Sequence, residues 1–510
     1  MQYISYIYLI MLCSILPLYM KSGYYELGEA KADCYIAVSL CFFMLISAVK
    51  GVAYINGKRA GAVSSSRKTS FERSDMFLPR FFACGTVFSS VLSFVFSVDK
   101  RTAFFGVEGW RNGLLLMLLS VFFMVVFVGY SYDKKWTIMT VLIVPGLEFA
   151  LGILGRMGIY PLAVDGKDSG YLATIGNINW YSGFLSIFVP LGMGLVYVAL
   201  DKDSELKWTQ PDWLKVKINV FFIIGSIYTI LGLTALFMQG SDGAALIVIS
   251  ATLLLLWISF EDWDSILRAL VVILLIGTAM TVVDFLMIFA GSYYNYDNNL
   301  LLSACTAHVG VIIMAAAFFL YRLVILLKEI KVSFNGKRIR LIFLAVIGAA
   351  VVACAIVLVM NFSDSFGNGR GIIWRMCFDI FMGLPDWQKL VGVGQDCLFA
   401  YAQSNEMWRM SFYNVFGSDI LTNAHCELLT VTIERGFIGV VCYLGLFLSM
   451  LHGLLKTAKK ERAAIIYALP VISYFVFNQI SFAQVMSSPY VFLIMGLGMS
   501  LLKTSDTISG

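Results

Sequence analysis

Apolar runs long enough to cross a bilayer recur along almost the whole chain, and they decide its class before any single residue is weighed. One membrane-spanning helix needs about 20 mostly apolar residues. About 14 such runs can be drawn by window reasoning, the first with its core at 4–20 and the last at 488–502. Lipid offers no partners to an open backbone, so runs of this length read as helices. Composition agrees, with 59% hydrophobic and 14% charged residues, where a soluble domain has about half and about a quarter. The expected fold is an all-α polytopic membrane protein of about 12–14 transmembrane helices. The N-terminal run lacks a basic leader and a small-residue cleavage site and reads as a retained first helix.

The connecting segments set an orientation. One set is basic: Lys58, Arg59, Arg67, Lys68 and Arg73, then Lys134 and Lys135, then Lys202, Lys207, Lys215 and Lys217, then Lys328, Lys331, Lys337, Arg338 and Arg340, then Lys456, Lys459, Lys460 and Arg462. The alternate set is poorer in Lys and Arg, so the positive-inside rule places the basic set, and both termini, in the cytoplasm. Three regions follow. Residues 1–360 form a bundle of about 11 spans, 361–434 a large extracytoplasmic loop, and 435–510 the C-terminal spans. The loop is rich in aromatics (Trp374, Trp387, Trp408). Ile372, Ile373, Met376 and Ile380 recur at helical spacing, which predicts short amphipathic helices on the membrane surface.

That loop holds the best candidates for chemistry. It opens on FGNGRGIIWRMCFDIF, with Arg370 and Arg375, continues through KLVGVGQDCLFAYA, and ends on LTNAHCELL, with His425 and Glu427 just before a span. Arginine donates from a planar fork and stays charged, which suits diphosphate. Histidine accepts a proton near neutral pH. On spacing alone, an arginine anchored at lipid headgroups and a histidine capping a helix explain the same residues. Ten cysteines without CxxC spacing and only three histidines give no metal motif, so neither a metal site nor a cofactor is expected. Cys377 and Cys397 leave a disulfide open. Glu148, Asp284 and His308 fall inside spans, where ionisable residues are functional candidates or pair within the bundle.

In this setting the chain resembles the bacterial O-antigen ligase and polymerase family. The resemblance rests on Arg370 ahead of Ile373-Trp374, then Gly392-Val393-Gly394, then Ala424-His425 with Leu428 or Leu429, then Gly436-Phe437-Ile438-Gly439, over roughly residues 366–445. Two earlier segments are similar to family helix starts: FFGVEGWRNGLLLML, with Arg111, and IGNINWYSGFLSIF. Two positions depart from the pattern. Cys426 stands where the family usually has Asn, and Ser241-Asp242-Gly243 where it often has Ser-Arg-Gly.

The resemblance implies a membrane glycosyltransferase with a GT-C-like architecture. It would transfer a glycan from undecaprenyl diphosphate to an acceptor hydroxyl on the outer face of the cytoplasmic membrane, without a metal. On that reading His425 is the general base, and Arg370, Arg111 and Arg375 bind the diphosphate. Glu427 and Trp374 are supporting residues, with Asp242 at the departing position. The expected partners are the lipid-linked glycan donor, a glycan, lipid or protein acceptor, and membrane lipids, with no nucleic acid. Ligase and polymerase are not separated by these residues. A lipid-linked glycan flippase or other transporter is the rival reading, and a scaffold or receptor a third.

Overall fold

A computed structural model describes residues 2–59, 76–129, 133–202, 204, 206 and 219–508, with no description of the side chains of 57–59 and 502–508. The basic positions Arg67, Lys68, Arg73, Lys207, Lys215 and Lys217 lie outside the described residues. The chain is an all-α polytopic membrane protein, 76% helical. Among the described residues, ten helices are long and apolar enough to cross a membrane. Four shorter apolar helices accompany them, at Gln2–Leu18, Leu114–Val128, Ala464–Phe477 and Ser488–Leu501. The apolar runs read from the sequence each coincide with one of these. The only described sheet is a two-residue hairpin pairing Tyr171–Leu172 with Gly176–Asn177.

The centre of the bundle is the Ile178–Ala199 helix, buried along its whole hydrophobic window. The Ala464–Phe477 helix can lie against it because Gly194 brings the two backbones together: a Cβ there would stand 2.9 Å from the Ile466 Cα. At the opposite extreme, the Gly336–Met360 helix buries none of its window in protein. It is tied down near its start, where Arg340 pairs with Glu261 and donates to the Trp257 carbonyl.

Ion pairs gather at one end of the bundle: Lys134 with Glu461, Arg462 and Arg268 with Asp201, and Lys328 with Asp264. The segments of the 361–434 region lie at the other end. There the residues fold into four short helices, Phe366–Gly383, Asp386–Val391, Leu398–Ser404 and Glu406–Phe416. Three of them share a small core built on Met376, Cys377, Ile380, Leu398, Ala402 and Phe412, which Ala103 and Ile433 join from outside the four. Two of the four residues read at helical spacing, Met376 and Ile380, are its inward face. Cys377 and Cys397 carry free thiols in this core. Burial of their apolar sulfurs accounts for them as ordinary core residues.

The last loop stretch is already helical. The Glu427–Thr457 helix begins before 435 and kinks at Gly436, whose φ of 64° and ψ of −170° leave the helical region. A break there deprives the carbonyls of Ile433 and Glu434 of their helical donors. The Gly392-Val393-Gly394 segment supplies replacements, with Val393 N–H donating to Ile433 O and Gly394 N–H to Glu434 O, each at 3.1 Å. Ser93 Oγ adds a second donor to Glu434 O at 2.5 Å. Only glycine permits this approach, since a Cβ on Gly392 would meet Glu434 O at 2.1 Å. The two glycine motifs far apart in sequence are therefore two halves of one backbone joint.

Candidate functional site

Local backbone geometry delivers Arg370 and His425 to the same place. Gly367, Asn368 and Gly369 all take left-handed φ values of 60° to 85°, so the regular helix starts at Arg370. Glycine and asparagine are the residues that tolerate such a run. Gly371 then passes under the Ser363 carbonyl, which a Cβ would overlap at 1.8 Å. His425 sits immediately before the Glu427–Thr457 helix with φ of 50°. Its lead-in is tied down by Asn423 Oδ1, which accepts from His425 N–H at 3.0 Å, and by Thr430 Oγ1, which accepts from Ala424 N–H at 3.0 Å. A non-glycine residue held at positive φ costs on the order of 1–3 kcal/mol and persists where the surroundings over-determine it.

The charge of Arg370 acts on His425, and both side chains have polar atoms unspent. His425 Nδ1 and Arg370 Nε are both buried without a hydrogen-bond partner. Among the described residues the Arg370 guanidinium makes one hydrogen bond, a 3.5 Å reach from NH1 to the Gly367 carbonyl. No described carboxylate pairs with Arg370. Burial pushes the His425 imidazole down to about 4, and the charge of Arg370 pushes in the same direction. Burial likewise draws the Arg370 guanidinium below its ordinary value. A cation and an imidazole left without an anion between them form a receptor for one.

A neighbouring loop closes the arrangement. Trp110 packs edge-on to Phe482 at 5.3 Å, and the His425 ring packs edge-on to the same Phe482 at 5.1 Å. Arg111, next to Trp110, also holds a positive φ, 50°. Its Nε donates to Glu29 Oε1 at 2.7 Å and its NH2 binds the same oxygen. This hydrogen bond, with the charge of Glu29, holds the Arg111 guanidinium above its usual value.

The remaining expected residues are otherwise engaged. Arg375 pairs with Asp364 at 2.7 Å, both exposed, and does not enter the Arg370–His425 centre. Glu427 does not orient His425: its carboxylate accepts from Ala483 N–H at 2.7 Å instead. Trp374 stacks in a cluster with Phe362 and Phe366, its indole nitrogen buried and unpartnered. Asp242 is exposed and accepts from Leu301 N–H at 3.1 Å, a backbone role. Cys426 occupies the helix N-cap without a side-chain cap bond. Among the ionisable residues within spans, Glu148 accepts from the Thr174 backbone and hydroxyl, and Asp284 meets His308 Nδ1 at 2.5 Å. Glu148 is satisfied inside the bundle, whereas His308 stands outside any span, exposed at the break between the Leu300–Thr306 and Val309–Glu329 helices.

Sequence reasoning did not single out Glu29, Asp396, Asn423 or Phe482. Asp396 is 4% exposed and holds a positive φ of 59°. Burial pushes its carboxyl up to about 6, although two backbone N–H groups draw it the other way. Beside it lies a partly open cavity of about 40 Å³, lined by Asn112, Gln395, Asp396, Glu427, Glu434 and Arg435 among others. That volume admits water and excludes a sugar. Polar atoms of Gln395, Glu434 and Arg435 are left unpartnered there. Among the described residues, no group of three or more His, Cys, Asp and Glu is arranged to hold a metal ion.

No protein-family model matches this chain, and no curated protein matches it.

Proposed function

We propose that this protein is a membrane glycosyltransferase of the O-antigen ligase and polymerase type. It moves a glycan from undecaprenyl diphosphate onto an acceptor hydroxyl at the outer face of the bacterial cytoplasmic membrane. The observation that carries the reading is the neighbouring pair Arg370 and His425, whose buried nitrogens no described residue satisfies. The order of the loop motifs supports it. So does the gathering of the ion-paired, basic segments at the opposite end of the bundle, which the positive-inside rule assigns to the cytoplasm.

Arg370 binds the donor diphosphate and stabilises the charge that grows on it as the sugar leaves. His425, neutral at pH 7, takes the proton from the acceptor hydroxyl. That oxygen forms the new bond to the anomeric carbon as the bond to the diphosphate oxygen breaks. An imidazole titrating near 4 is a weak base in the empty site. A bound diphosphate neutralises the guanidinium that helps hold it there, so the donor itself strengthens the base. Arg111 enters through its loop and shares its charge with Glu29. Arg375 stays in its exposed pair with Asp364 and takes no part in donor binding.

The test is a purified wild-type protein beside His425→Ala, each given undecaprenyl-diphosphate glycan and candidate acceptors, with products followed by mass spectrometry. Wild type forms a longer or transferred glycan and the variant does not. Equal product from both removes His425 from the chemistry.

A further inference from the structure

The rim around the Arg370–His425 centre is built from three chain segments remote in sequence, and one buried residue pair ties them together. Asp396 Oδ2 accepts from Val107 N–H at 2.6 Å and from Asn112 N–H at 3.2 Å. Its neighbour Gln395 donates from Nε2 to Asn112 O at 2.9 Å. The 395–396 pair thus grips both ends of the 107–112 loop, which carries Trp110 and Arg111. From there Asn112 Nδ2 donates to Ala483 O, and Ala483 N–H donates to the Glu427 carboxylate, two residues beyond His425. The loop has no regular secondary structure of its own to hold it. Beyond one turn closed by the Trp110 and Arg111 N–H groups on the Val107 carbonyl, its shape comes from these side-chain bonds and from Glu29, which accepts from Gly109 N–H at 2.7 Å and from Arg111.

A carboxylate buried to this extent is costly unless its acceptors are used. Here it is spent on backbone donors, and its other charged neighbours are Glu427 and Glu434 on the kinked helix and Arg111 on the loop itself. Three buried carboxyl groups gathered here make the site costly for stability alone. What the site secures is the position of one loop.

We infer that Asp396 is a positioning residue for the donor site, acting through the backbone N–H groups of Val107 and Asn112 to hold Trp110 and Arg111 against the His425 segment. This rests on the transferase reading above. Both bonds go to a single oxygen, so an amide oxygen in its place preserves them while the charge is removed.

The experiment compares Asp396→Ala, Asp396→Asn and wild type, full length in detergent, by amide hydrogen exchange and by steady-state transfer kinetics. In Asp396→Ala the 106–113 peptide exchanges faster, and the KM for undecaprenyl-diphosphate glycan rises about tenfold with kcat changed less than about threefold. Asp396→Asn restores both readouts most of the way to wild type, which a need for the charge alone would not allow. Unchanged exchange in Asp396→Ala overturns the clasp. Faster exchange with an unchanged donor KM overturns the positioning role and leaves the His425 chemistry standing. A wild type that neither binds nor transfers the donor sinks the transferase reading and the donor role together, while hydrogen exchange still decides whether the clasp exists. Should Asp396→Ala fail to fold, Gln395→Ala, which removes the companion bond, is read by the same two measurements with a smaller expected shift.

Discussion

Two groups of charged residues sit at the same end of this bundle and meet opposite fates. Arg111, Arg375, Asp242 and Glu427 each find a protein partner: Glu29, Asp364, the Leu301 backbone and the Ala483 backbone. Arg370 and His425 find none for their buried nitrogens. Buried polar groups are ordinarily satisfied, so the orphaned pair points to a ligand and the satisfied set to architecture. Residue type does not separate the groups, since arginines fall on both sides. What separates them is whether the fold brings a hydrogen-bonding partner within reach.

The largest expected effect breaks the comparison at its centre. Arg370→Ala removes the cation that faces developing diphosphate charge and lowers kcat/KM on the order of 10²–10³-fold, read by the same mass-spectrometric assay. A wild-type rate in this variant would return Arg370 to the role of headgroup anchor.

The next effect is a pH signature. In the free enzyme the imidazole is neutral down to about 4. Donor diphosphate offsets the Arg370 charge and raises that value, so protonation disables the bound enzyme at a higher pH than the free one. The acidic limb of kcat therefore lies at higher pH than the acidic limb of kcat/KM. Replacing Arg370 with Gln moves the kcat/KM limb upward as well, because one of the two influences depressing His425 is gone. Coincident limbs in wild type would remove the donor-strengthened base from the account.

The smallest effect belongs to the satisfied set. Arg375→Ala breaks an exposed ion pair worth about 0–1 kcal/mol and changes donor KM by less than about threefold. A loss as large as that of Arg370→Ala would erase the distinction between the two groups.

The fold was legible where hydrophobic length alone decides it. Every apolar run of bilayer length became a helix, including Leu114–Val128 and Ala464–Phe477, which are short by length yet apolar enough to read. The expected boundary between 434 and 435 falls one residue before Gly436, because a glycine next to a charged pair looks like a helix start. The helix instead begins at Glu427 and bends there. For the site, Arg370, His425 and Arg111 were visible as residue types in motifs. Their partners were not. Asp396 binds a loop 289 positions away, and Glu29 pairs with an arginine 82 positions away. No local pattern encodes such a contact, and so the orphaned arginine could not be told from the paired ones before the fold placed them. The glycines were legible as a motif and obscure in purpose: Gly392 and Gly436 acquire their reason only when the loop backbone lies across the kink.

The most direct test of that contrast is donor binding without turnover. Undecaprenyl diphosphate is titrated into wild type, Arg370→Ala and Arg375→Ala, each purified in the same detergent, with binding followed by native mass spectrometry. The account predicts that Arg370→Ala weakens binding by about tenfold or more, as loss of a charge-assisted contact in a partly buried site requires, while Arg375→Ala binds as wild type does. Equal affinity across all three proteins would contradict it, and the unpartnered pair at the rim would no longer be a donor site.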